Sequence, residues 1–198
     1  MNYLAHAWLS FNDPGILTGN MISDFVKGKK KFGFPLAIQK GISLHRAIDE
    51  FTDTHEITKE AMVFFRPAYR LYSGAFMDIV YDHFLANDIN EFKNEEVLNV
   101  FCQSTYAYLE SQTVPLPDGF EQMLPYMKQY NWLYNYRLRE GIQKSFGGLA
   151  RRAAYIAESD TAYQIFNQHY DSLEICYRSF FPLLKEFSRY KLAELNNS

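Results

Sequence analysis

The stretch Gly41-Ile-Ser-Leu-His-Arg-Ala-Ile-Asp-Glu-Phe-Thr-Asp-Thr-His55 decides how this chain is read. With Ile38 just ahead of it, Ile38, Ile42, Ile48 and Phe51 fall at helical spacing. At about 100° per residue, His45 and Asp49 lie one turn apart and share an azimuth with Ile38 and Ile42. An imidazole and a carboxylate therefore point where the apolar side chains point, into an interior. Thr52 sits close to that line, and Asp53 lies on its margin. An unpaired buried carboxylate costs on the order of several kcal/mol, so something must compensate. A metal ion does so, and so does a buried His–Asp or Arg–Asp pair; this helix alone leaves both open.

Working outward, residues 2–11 read as a short first helix with Leu4, Trp8 and Phe11 on one face and His6 opposite. The turn signal Asn12-Asp13-Pro14-Gly15 closes it. A second helix is expected over 16–27, with Asn20 and Asp24 one turn apart and Lys27 on the same side. Gly28-Lys-Lys-Lys-Phe-Gly-Phe-Pro35 is a basic, glycine-rich loop, and Pro35 opens the helix carrying the first stretch. Residues 56–65 continue helically until Pro67. Residues 68–86 follow, apolar over most of their circumference and therefore central. In that helix Asp78 and Asp82 are one turn apart, in line with Leu71 and Leu85. Beyond it, helices are expected over 94–112, 120–130 and 132–146. A loop is expected at 113–119 and a break at Gly147-Gly148. Residues 149–158 carry Arg151-Arg152, and a long final helix over 160–195 bends at Pro182. No period-two alternation persists, so the fold class is all-α, a single-domain helical bundle over 1–198.

The composition narrows the function classes. The chain has 198 residues, enough for one sizeable core, and 17% are aromatic. A net charge of −3 argues against a global field for nucleic acid, so any basic function is local. Cys102 and Cys176 are too few and too far apart for a disulfide framework or a thiolate zinc site. No apolar run is long enough to insert into a membrane and no secretory signal is visible, so a cytoplasmic protein is expected.

Four of the five histidines, His6, His45, His55 and His83, lie in the first 83 residues with Asp24, Asp49, Asp53, Asp78 and Asp82. One buried acid pair suits a structural partner. Two of them, with a histidine, suggest a shared cation of the Mn, Fe, Zn or Mg kind, held between facing helices. His83 points away from Asp82 and has hydrogen bonding to a carbonyl as its alternative role; His55 has helix capping and His169 packing. Lys27, Lys29, Lys30 and Lys31, with Arg46, Arg66 and Arg70, form a candidate anion or acidic-protein surface, a solvated charge run being the alternative. Tyr126, Tyr130, Trp132, Tyr134 and Tyr136 read as core. No nucleophile elbow, P-loop or dinucleotide fingerprint is present.

Several blocks carry a family resemblance: Asn2-Tyr-Leu-Ala-His6, Gly19-Asn-Met-Ile-Ser-Asp-Phe-Val-Lys-Gly28, Gly41-Ile-Ser-Leu-His-Arg-Ala-Ile-Asp49, Phe51-Thr-Asp53 and Asp78-Ile-Val-Tyr-Asp-His-Phe-Leu85. With Gln168-His-Tyr-Asp-Ser-Leu-Glu174 and Phe181-Pro182, they resemble the acyl carrier protein phosphodiesterases. The resemblance implies an all-α, manganese-dependent relative of the His-Asp (HD) phosphohydrolases. Such an enzyme hydrolyses the phosphodiester joining 4′-phosphopantetheine to a serine of holo-acyl carrier protein. It implies His6, Asp24, His45, Asp49, Asp78, Asp82 and His83 as metal residues, with Mn²⁺ expected and Mg²⁺ or Fe²⁺ as alternatives. Asp24, His45 and Asp82 are the expected catalytic residues. The seven basic residues become the docking surface for an acidic carrier, and helices over 94–195 share in recognising it. Two further readings stand beside this one: a metal phosphohydrolase of nucleotides or small phosphodiesters, and a non-catalytic helical binding module.

Overall fold

Two glycines decide how the second and third helices meet. A Cβ on Gly19 would lie 2.2 Å from the Ile38 carbonyl oxygen, and one on Gly41 would lie 2.4 Å from the Ile16 carbonyl oxygen. The two backbones cross in direct contact, which only residues without a side chain permit. In the computed structural model, which describes residues 1–197, these helices are α2 (Pro14–Ile22) and α3 (Leu36–Thr54). Asp13 caps α2 by accepting from the Ile16 N–H, and Pro14 occupies its first turn.

Before them stands α1 (Tyr3–Trp8), and between them two 3₁₀ turns, Ser23–Phe25 and Gly28–Gly33. The 16–27 helix of the sequence reading thus ends at Ile22, so Asp24 sits on a tight turn rather than a helix face. After α3 come α4 (Glu56–Met62), the single turn α5 (Arg66–Tyr69) and α6 (Ser73–Ala86). The expected 68–86 helix is broken where Arg70 adopts a left-handed φ of 48°. That break turns Leu71 out to 98% exposure instead of into the line of Asp78 and Leu85.

The second half comprises α7 (Glu95–Glu110), α8 (Asp118–Gln129), α9 (Trp132–Asn135), α10 (Arg139–Arg152), α11 (Asp160–Gln168) and α12 (Tyr170–Asn197). No strand occurs among the described residues, and the protein is all-α. Two breaks differ from the sequence reading. The helix runs straight through Gly147-Gly148, ending at Arg152, while the long terminal helix is split at His169. Gly147 and Gly148 lower helix propensity but do not forbid helix, and Ile142 and Phe146 bury this segment firmly. Pro182 is accommodated inside α12.

The core is one cluster of buried side chains reaching from Met1 to Leu184. The central helix α6 buries residues around its whole girth, including Phe76, Met77, Val80, Tyr81 and Leu85. Both α1 and α10 lie against α6, while α12 packs along α3 and α4. No helix among the described residues is long and apolar enough to cross a membrane.

Candidate metal centre

On α3, His45 is held by the helix it crosses. Its Nδ1 lies 2.8 Å from the carbonyl oxygen of Asn20 on α2, so Nδ1 carries the proton and donates. That contact follows from the glycine crossing, which lets α2 approach closely enough for a main-chain oxygen to reach the ring. Nε2 is thereby turned toward two carboxylates, Asp24 Oδ1 at 3.2 Å and Asp49 Oδ2 at 3.0 Å. A ring fixed through one nitrogen and aimed with the other is how protein histidines are prepared for metals.

His6 comes from α1. It lies opposite Leu4 on that helix and is buried as well, because α1 is only six residues long and packs against both α2 and α6. Phe11, beyond the helix end at a left-handed φ of 51°, does not continue its face. The His6 ring is buried and stacks on that of His45, with centroids 3.7 Å apart and planes 13° from parallel. Its Nε2 stands 3.1 Å from Asp49 Oδ1, while its buried Nδ1 has no partner. His6, His45 and Asp49 offer ligand atoms that all lie within 4.8 Å of one another.

The electrostatics are those of a tightly coupled acid–imidazole cluster. Burial pulls His45 down, but hydrogen bonds to Asp24 and Asp49 outweigh it and raise the ring to about 9. Burial and the neighbouring His45 lower His6 to about 4. For Asp49, burial is overcome by the charges of His6 and the Met1 amino group, which hold the carboxyl well below its usual range. The hydrogen bond from His45 lowers Asp24. The Met1 ammonium itself stands between Asp49 Oδ1 at 3.2 Å and Asp78 Oδ1 at 2.9 Å.

Other residues singled out from the sequence are placed elsewhere. Asp82 is fully buried, and its two oxygens accept the N–H groups of Leu4 and Ala5 at 2.7 and 3.2 Å. It caps the first turn of α1 and so positions His6, outside the ligand group itself. Burial raises it to about 7, and Asp78 to about 6. His83 stands apart: its Nδ1 meets the Tyr136 carbonyl at 2.7 Å and its Nε2 the Tyr170 hydroxyl at 2.9 Å. Both nitrogens are taken up in the core, so the expected metal role does not fit its placement. His55 caps α4 through Ile57 N–H, and His169 stacks on Phe64.

The basic residues divide. Lys29 and Lys30 are exposed on the second 3₁₀ turn and Lys27 just ahead of it, while Lys31 is half-buried and reaches Ser43 Oγ at 3.3 Å. Arg46 donates to the Val26 carbonyl at 2.8 Å, tying the link between the two 3₁₀ turns to the residue after His45. Arg66 and Arg70 are exposed around α5, and Arg70 lines a separate cleft with Tyr69, Tyr155 and Glu158. Of the aromatic stripe, Tyr126 and Tyr130 are 58% and 57% exposed rather than core.

A family model described as acyl carrier protein phosphodiesterase matches residues 1–184. The chain belongs to the acyl carrier protein phosphodiesterase family. Proteins of that name show the same relationship over nearly their whole length. The Klebsiella pneumoniae protein is 33% identical over 195 residues, covering 96% of this chain and 99% of its own. A protein of Escherichia coli O45:K1 is 34% identical over 190 residues, covering 94% and 96%, respectively. One of Yersinia pestis is 30% identical over 191 residues. No solved structure matches this family member significantly. Asn20, whose carbonyl sets the His45 ring, is a member of the site that sequence reasoning missed. The contact uses a main-chain carbonyl, which every residue carries, so no residue type in the sequence signals it.

Proposed function

We propose that this protein is a metal-dependent phosphodiesterase that releases 4′-phosphopantetheine from holo-acyl carrier protein, working in the manner of a divergent His-Asp phosphohydrolase. The observation that carries the proposal is the pair of stacked imidazoles whose Nε2 atoms converge on Asp49, one ring fixed by the Asn20 carbonyl. This donor set of imidazole and carboxylate fits a divalent ion of the Mn²⁺ kind, with Mg²⁺ or Fe²⁺ as alternatives. His6, His45 and Asp49 would hold it, with Asp24 and Asp78 flanking. When bound, the ion supplies acidified water at neutral pH and offsets phosphate charge.

The chain's own residues supply the rest. Asp24 is the open member of the cluster, its side chain 63% exposed with one oxygen bonded to His45. It accepts a proton from the attacking water. The water oxygen bonds to phosphorus as the bond from phosphorus to the serine oxygen breaks, and the proton taken up by Asp24 passes to the leaving serine oxygen. Products are apo-carrier and free 4′-phosphopantetheine. Lys27, Lys29, Lys30, Lys31 and Arg46 form a positive rim beside Asp24 and steer an acidic protein toward the cluster. A cytoplasmic location belongs to the same proposal and accords with two unpaired thiols, Cys102 and Cys176.

The test is incubation of the purified protein with holo-carrier and Mn²⁺, followed by mass measurement of the carrier. Loss of the phosphopantetheine mass, abolished by a chelator, is expected. An unchanged carrier with every divalent metal tried refutes the proposal.

A further inference from the structure

Beside the metal centre lies a cavity of about 450 Å³, a volume typical of small-molecule sites. It begins at Asn2 and Tyr3, immediately ahead of the α1 turn that carries His6, and includes Ile79, the neighbour of Asp78 on α6. Tyr3 joins the two sites. It lines the cavity and opens α1, whose next two N–H groups are held by Asp82, so one short helix carries both the cavity wall and His6.

Aromatic walls come from Tyr130, Trp132 and Tyr136 around α9. Asn131, at a left-handed φ of 45°, turns the chain between Tyr130 and Trp132, a conformation asparagine tolerates well. The wall is pressed onto α10 at Gly141, where a Cβ would lie 1.9 Å from the Asn135 carbonyl oxygen. No other residue allows that approach.

The opposite lining is one face of α10, where Lys144 and Ser145, then Gly148, then Arg151 and Arg152 follow at successive turns. Ser145 and Gly148 leave a trough, with the Arg151 and Arg152 guanidinium groups 3.8 and 3.6 Å from where a Gly148 Cβ would stand. Among the described residues, none of these three cations has an acidic partner at salt-bridge distance. Three unpaired cations beside an aromatic cavity suit a ligand with an anionic head and a largely apolar body.

We infer that this cavity holds the 4′-phosphopantetheine arm, its phosphate end toward Arg152 and the metal centre and its amide-linked chain along the aromatic wall. The inference rests on the function proposed above and identifies how the prosthetic group, as distinct from the carrier protein, is recognised. A carrier docked on the Lys27–Lys31 rim presents its serine at the cluster, and the arm then has this cavity to enter. Lys144, Arg151 and Arg152 are binding residues in this arrangement, and Gly148 provides the space.

The decisive variant is Gly148→Leu, which fills the trough from within a helix. Leucine outranks glycine as a helix former, and the groups it meets are the movable ends of arginines, so the thermal midpoint is expected not to fall. Gly148→Ala serves as the small control. Saturation-transfer NMR of the full-length protein with free 4′-phosphopantetheine reads weak binding without any need for turnover. Expected is saturation of the ligand's gem-dimethyl signals by the wild type and the alanine variant, lost in Gly148→Leu. In the carrier assay, kcat/KM is expected to fall about tenfold or more in Gly148→Leu.

The outcomes separate the two proposals. Hydrolysis and arm saturation both unchanged in Gly148→Leu overturn the cavity and leave the enzyme standing. Arm saturation abolished by Gly148→Leu in a protein that never cleaves holo-carrier supports the cavity and overturns the activity. AMP saturated by the wild type while the methyls of 4′-phosphopantetheine are not assigns the cavity to a nucleotide and overturns the inference.

Discussion

Replacing Gly41 by alanine probes the link between fold and candidate metal centre at its tightest point. The new Cβ would meet the Ile16 carbonyl oxygen at 2.4 Å and the Gly19 Cα at 2.9 Å. Ordinary carbon–oxygen contact lies near about 3.3 Å, so α2 and α3 must separate by roughly 1 Å. The His45 Nδ1 to Asn20 oxygen distance, now 2.8 Å, then lengthens beyond hydrogen-bond range. Overpacking of this kind costs about 3 kcal/mol at its upper range. The gain in helix propensity on replacing glycine returns about 1 kcal/mol. The net loss of about 2 kcal/mol lowers Tm by roughly 4–8 °C for a chain of this size. Freed of its support, the His45 ring loses its orientation, and Mn²⁺ affinity is expected to fall about 10- to 100-fold. Calorimetric unfolding and Mn²⁺ titration of the folded variant measure both. Gly33→Ala is the control, since nothing lies within 4 Å of its Cβ. A Gly41→Ala protein with unchanged Tm and Mn²⁺ affinity would refute the reasoning.

Asp24→Asn is expected to lower kcat by about 10²- to 10³-fold with little change in KM or Tm, because an exposed proton acceptor has been removed. Equal loss in KM instead would make Asp24 a carrier contact. Reversing Lys29, Lys30 and Lys31 to glutamate together should cut carrier association about 10-fold or more at low salt, with the difference shrinking as salt is raised; a salt-independent deficit would contradict steering. His83 provides a pH prediction. Its burial lowers it from 6.5 to about 4 in the fold, so between these values the unfolded chain binds the extra proton. Stability is therefore lost as pH falls below 6.5, by about 2 kcal/mol from this ring between pH 7 and 5. His83→Gln, compared by denaturant midpoint with the wild type at both pH values, should show a correspondingly smaller drop; an identical drop excludes His83 as the source.

Much of this protein is legible in short windows of sequence, because helix geometry is a local property. The spacing of Ile38, Ile42, His45 and Asp49 places the imidazole and the carboxylate on one inward line, and the tertiary structure keeps them 3.0 Å apart. Where the sequence gives no local signal, partners were decided by packing across the chain. His6 lies opposite Leu4 and Trp8 on its own helix, and it is the second imidazole because α1 is buried between α2 and α6. Asp82 lies one turn from Asp78 as Asp49 lies one turn from His45, yet its oxygens are claimed by the N–H groups of Leu4 and Ala5, 78 and 77 residues away. His83 was claimed in the same way by Tyr136 and Tyr170.

The Gly147-Gly148 pair shows the same division from the other side. Local propensity makes two glycines a break, and a break there conceals that Lys144, Gly148, Arg151 and Arg152 share one helix face. Burial of Ile142 and Phe146 carries the helix through, and only then does the cationic stripe form beside the aromatic wall. From its sequence alone, this protein is all-α, with an acid–imidazole pair turned inward on its third helix. Which side chains complete that pair, and which cavity opens beside it, depended on contacts between segments far apart in the chain, where no periodicity reaches.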